Sequence, residues 1–178
     1  MATNPILLFD VPRREERKIV TATFKPSETT DEKIILKCAE LMMSSTPWNQ
    51  LLFTLEECLE TLKPEQRVRV FVEMESEEIV AFMAVLPGGF AEEPMVEYLC
   101  VSEGARGNGV GTAFMQYFET ALYPDAINYY LLVSDINGRA KRLYERLGYC
   151  QVGLLEDFNI LGQQEFIMRK TKGPRHLQ

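Results

Sequence analysis

A single mixed α/β domain is what the sequence predicts, and three observations carry that prediction. The chain has 178 residues, the size of one ordinary domain with one hydrophobic core. Strand-like apolar segments recur about seven times along it. Helix-like segments with apolar stripes interrupt them in both halves. Apolar residues make up 46% and charged residues 25%, as in a soluble globular protein.

Residues 1–17 read as a polar leader outside the domain, and 18–24 as a first strand. Thr30 or Asp31 caps a helix to about Met43, with Ile34, Ile35, Cys38, Leu41 and Met42 on one stripe. The segment SSTPWNQ ends that pattern. Thr54 opens T-L-E-E, a capping box with Glu57 at the third helical position, and this second helix stops before Pro64. Val68, Val70, Val72 and Met74 alternate with Arg69, Phe71 and Glu73, which is a strand; ESEE is its turn. Residues 79–86 are almost wholly apolar, as in a strand covered on both faces. PGGFAEEP reads as a loop, 95–101 and 127–134 as strands, and 149–155 and 165–169 as the last two. A tail, 171–178, follows the domain at 18–170.

The junction SEGARGNGVGTAF alternates Gly107, Gly109 and Gly111 with Arg106, Asn108 and Val110, between a strand and a helix. In that helix Val110, Ala113, Phe114, Tyr117, Phe118, Ala121 and Leu122 share one face. Its first N–H groups have no helical partner and point back over the glycines. With Arg106 and the positive end of the helix dipole they make an anion site, and glycines let the backbone approach closely. Several successive donors suit two linked phosphates. The spacing is neither a phosphate loop ending in Gly-Lys-Ser/Thr nor a dinucleotide fingerprint on the first strand. A second motif, NGRAKRLYERLGY, follows the strand YYLLVS. Asn137 is its N-cap, Ala140, Leu143, Tyr144 and Leu147 its buried stripe, and Gly148 its stop.

The net charge of −7, without a basic stripe, argues against nucleic acid and suits a cationic or amine-bearing partner. No apolar run spans a bilayer and no basic region precedes Ile6, so the expectation is a cytoplasmic protein without a membrane or signal segment. Cys38, Cys58, Cys100 and Cys150 are widely spaced, and the one histidine lies in the tail. Four reduced thiols and no metal are expected.

The two glycine- and asparagine-led motifs together resemble the GCN5-related N-acetyltransferase (GNAT) superfamily. Arg106, Gly109 and Gly111 stand on its R/Q-x-x-G-x-G/A loop, and the Asn137 segment on its N-x-x-A-x-x-L-Y-E-x-x-G-[FY] motif. The resemblance implies a central, mostly antiparallel sheet of about seven strands with helices on both faces. It implies acetyl-coenzyme A as cosubstrate, with the pyrophosphate on Arg106, Gly107, Asn108, Gly109, Val110, Gly111 and Thr112. The pantetheine arm is expected beside Leu99, Cys100 and Val101, where the family's strand splays from its neighbour at a bulge. Tyr144 matches the family's tyrosine and is the candidate acid for the leaving thiolate. Glu97, alone as a charge in its apolar strand, is the candidate base, acting directly or through water. Tyr98 should face away from Glu97 by strand alternation. Asn137 is a further coenzyme contact, and Trp48 a candidate acceptor wall. The acceptor is a small-molecule or peptide amine, attacked directly in a ternary complex; the state is monomer or homodimer. The alternative is an acyl-coenzyme A sensor of the same fold that transfers nothing.

Overall fold

The computed structural model describes residues 24–174. The expected strand at 18–24 therefore lies outside the described residues except for Phe24, which carries no strand. The elements run β1 (Ser27–Thr29), α1 (Glu32–Met43), α2 (Leu55–Thr61), β2 (Arg69–Glu75), β3 (Glu78–Phe90), β4 (Glu93–Val101), α3 (Val110–Tyr117), β5 (Asn128–Ser134), α4 (Gly138–Arg146), β6 (Cys150–Glu156) and β7 (Gln164–Thr171). One sheet of seven strands has the order β1-β2-β3-β4-β5-β7-β6. Every pairing is antiparallel except β4 with β5.

Local chemistry accounts for the helix starts. The Asp31 carboxylate accepts from the Lys33 and Ile34 N–H groups, and the Thr54–Glu57 capping box is complete. Asn137 caps α4 through its Oδ1, which accepts from Ala140 N at 3.2 Å. Gly148 ends α4 at φ +91°, a left-handed position. The apolar stripe predicted past Tyr117 continues through a π turn at Phe118–Leu122.

Two cores lie on opposite faces of the sheet. One packs α3 and α4 over Phe71, Met83, Val96 and Leu131; the other packs α1 and α2 over Val70, Val72, Phe82 and Cys100. Each is built from the alternating residues of the same strands.

PGGFAEEP is not a free loop. β3 continues to Phe90 and β4 begins at Glu93, joined by a turn in which Ala91 and Glu92 hold φ +50° and +63°. Such a two-residue turn usually carries Asn or Gly, so its residue types hid it. The short β1 was not foreseen either; it pairs only with the edge of β2. Among the described residues no helix is long and apolar enough to cross a membrane.

Candidate active site

β4 and β5 pair only at Met95↔Tyr130 and Val96↔Leu131 and then part. The parting coincides with an extra residue in β4. Its register against β3 jumps from Val85↔Val96 to Ala84↔Tyr98, which leaves Glu97 as a bulge. Beyond it, Leu99 and Val101 turn to the α3–α4 core while Tyr98 and Cys100 turn to the α1–α2 core. Parallel strands that separate leave backbone donors and acceptors without a ladder partner. The gap opens on a cleft of about 550 Å³.

The cleft gathers Trp48, Leu99, Cys100, Val101, Arg106, Gly107, Gly109, Val110, Gly111, Thr112, Asn137 and Tyr144. Of the residues singled out in the sequence, Asn108 and Glu97 do not line it. Asn108 is exposed in the same loop. Glu97 is half-buried on the α1–α2 side, opposite its neighbour Val96, which packs in the α3–α4 core.

Gly109 is the N-cap of α3 at φ +83° and supplies no side-chain cap. The first helical bond is Ala113 N to Gly109 O at 2.9 Å. The N–H groups of Val110, Gly111 and Thr112 are thus left open toward the cleft that these residues line. Gly111 has another task. A Cβ there would stand 3.2 Å from Leu143 Cδ2, so its lack of a side chain lets α3 and α4 approach. Gly111→Val is expected to destabilise the fold by about 1–3 kcal/mol through overpacking, read by denaturant unfolding.

Arg106 does not reach outward over the loop. Its Nε donates to Val101 O at 2.9 Å and its Nη2 to Ser45 Oγ at 3.2 Å. Two arginines missed in the sequence, Arg139 and Arg146, line the cleft instead. Their signal was present: Arg139, Leu143 and Arg146 are spaced i, i+4, i+7, one face of α4.

Tyr144 is 6% exposed and stacks edge-on with Tyr149 at 6.1 Å between centroids. Burial pushes its phenol well above the ordinary value, so it stays protonated. Its hydroxyl has no hydrogen-bond partner among the described residues, a free donor facing the cleft. Burial also raises the Cys100 thiol to about 11, against opposing pulls from Ser45 and Arg106. It is therefore neutral, a poor nucleophile.

For Glu97, burial raises the carboxyl above its ordinary value, and a side-chain interaction with the Tyr98 phenol opposes the rise. The two meet because the bulge breaks strand alternation, which corrects the expectation that they face apart. The Tyr98 phenol, pushed up to about 12 chiefly by burial, also interacts with Thr61 of α2. Trp48, 9% exposed, stands edge-on to Tyr98 at 6.1 Å. Among the described residues no group of three or more His, Cys, Asp or Glu side chains is placed to hold a metal.

Residues 35–149 match the model of the acetyltransferase (GNAT) family. No curated protein sequence matches significantly. Solved structures do. An aminoglycoside 6′-acetyltransferase type Ii is 25% identical with a TM-score of 0.65, covering 86% of this chain and 100% of that one. An aminoglycoside 6′-N-acetyltransferase complexed with coenzyme A is 21% identical, TM-score 0.65, covering 86% and 100%. The ribosomal-protein-S18-alanine N-acetyltransferase from Escherichia coli is 14% identical, TM-score 0.65, covering 86% and 99%.

Proposed function

Since the chain belongs to the GNAT acetyltransferase family, we propose that it moves an acetyl group from acetyl-coenzyme A to a primary amine, by direct attack in a ternary complex. One observation carries the reading. The open N–H groups of α3, the parted β4 backbone and the free Tyr144 hydroxyl all front the same cleft.

The residues present fit the cosubstrate. Val110, Gly111 and Thr112 would donate backbone N–H groups to the pyrophosphate, with Arg139 and Arg146 as charge complement. Leu99 and Val101, in the stretch of β4 without a β5 partner, would offer backbone groups to the amides of the pantetheine arm, apart from the Val101 carbonyl, which accepts from Arg106. Asn137, fixed as the α4 cap, borders the same arm. The thioester supplies an acyl group whose departure leaves a thiolate. Tyr144 is positioned to give that sulfur its proton. Glu97 accepts the proton of the acceptor ammonium by way of water, since its side chain does not line the cleft. The neutral Cys100 supports direct attack over a cysteine-bound intermediate.

Among the relatives, two are named for aminoglycosides and one for a protein alanine. A small-molecule or peptide amine is the acceptor class that follows. Trp48 and Tyr98 form an aromatic wall on that side, suited to a cation.

Isothermal calorimetry with coenzyme A, followed by a screen of amines for thiol release from acetyl-coenzyme A, tests the proposal. Binding without release by any amine would favour the sensor reading. Gly109→Val is expected to weaken coenzyme A at least tenfold, because the side chain enters the loop and the left-handed φ costs about 1–2 kcal/mol more. Unchanged affinity would displace the site from this loop. Intact-mass measurement after incubation with acetyl-coenzyme A should show no acetyl adduct on Cys100.

A further inference from the structure

Arg106 leads the loop whose backbone faces the cleft, yet its guanidinium is committed elsewhere. It reaches Val101 O on β4 and Ser45 Oγ beyond the end of α1. Ser45 is 3% exposed and sits at the base of a turn. Its N–H donates to Met42 O at 2.8 Å, and its carbonyl accepts from Asn49 N at 3.1 Å. That turn encloses Pro47 and Trp48. Beside it on β4, the Cys100 thiol donates to Leu41 O of α1 at 3.7 Å. One arginine and one buried serine thus tie the glycine loop, β4 and the turn that carries Trp48 together.

We infer that Arg106 and Ser45 form a strut that seats the Trp48 wall of the acceptor side against the coenzyme loop, making Arg106 a positioning residue. The inference rests on the donor-and-acceptor reading of the cleft proposed above. Charge-assisted hydrogen bonds to a buried hydroxyl are among the stronger ones, and they hold only in one geometry. Movement of the loop on binding the donor is therefore passed to Ser45 and on to Trp48. The donor site and the acceptor wall become two ends of one packed network.

The chain has one tryptophan, so Trp48 fluorescence reports on this wall directly. The experiment measures acrylamide quenching of Trp48 and calorimetric coenzyme A affinity in the parent, Ser45→Ala, Arg106→Met and the double variant. The quenching constant is expected to rise about twofold in each single variant and no further in the double, the non-additivity of one broken network. Coenzyme A affinity in Ser45→Ala should stay within about threefold of the parent. Parent-like quenching in both single variants would overturn the strut. So would a loss of at least about tenfold in coenzyme A affinity in Arg106→Met with Trp48 still shielded, since Arg106 would then be an anion ligand. A parent chain that does not bind coenzyme A would instead remove the donor site itself, and the strut's role with it.

Discussion

Tyr144→Phe is expected to lower kcat about 10²–10⁴-fold while leaving acetyl-coenzyme A affinity nearly unchanged. Only the hydroxyl is removed. The ring keeps its edge-on contact with Tyr149 and its place in the α3–α4 core. Because the hydroxyl has no partner among the described residues, its loss orphans no buried group, and the melting temperature should hold. Burial keeps the phenol protonated far above neutral pH, so Tyr144 contributes no limb of its own to the rate profile there. Steady-state kinetics with the amine found by the screen, beside a melting curve, checks both halves. An unchanged kcat with chemistry rate-limiting would return Tyr144 to the core as a packing residue.

Glu97→Gln should produce the second large effect, and one that depends on pH. A base works ionised, so the parent's kcat/KM should fall as pH drops through the raised Glu97 value, above the ordinary carboxylate range. Glutamine abolishes that limb. The rate loss should be greatest near neutrality, up to about 10²–10⁴-fold, and shrink at high pH where the acceptor amine is already free. Stability should move the other way. Burial raises the folded value above the unfolded one, so the neutral carboxyl favours the fold below the unfolded value, and that support is lost as pH rises through the folded value. Glutamine cannot ionise. The variant should therefore melt above the parent at neutral pH and converge with it in acid. A uniform rate loss at every pH would make Glu97 a positioning group and sink its role as base.

Gain of stability with loss of activity is the signature expected of a group held in an unfavourable setting for function. The setting is the β4 bulge. Val96 packs in the α3–α4 core, so alternation already turns Glu97 to the α1–α2 side, and the extra residue brings Tyr98 onto that same face beside it.

Strand alternation failed between Glu97 and Tyr98, and it failed because a bulge is decided by pairing. Nothing within residues 95–101 distinguishes an even ladder from one that skips a position. The skip exists only relative to Val85 and Ala84 on β3, far away in the chain. Arg106 shows the same limit. Its position in the loop was legible, but the hydroxyl that captures its guanidinium lies 61 residues earlier.

What the sequence by itself determined is what neighbours three or four residues apart can enforce. The caps at Asp31, Thr54 and Asn137, the stripes of α1, α3 and α4, and the left-handed glycines at 109 and 148 all act within one turn of backbone. Strand segments were visible from their residue types, except β1 and the β3–β4 turn, which lack the usual signals. Tertiary structure alone decided the order of the sheet, the parting of β4 from β5, the direction of Tyr98 and the inward turn of Arg106. Each of these is a contact between residues distant in sequence, formed by burial and hydrogen bonding that no local propensity encodes.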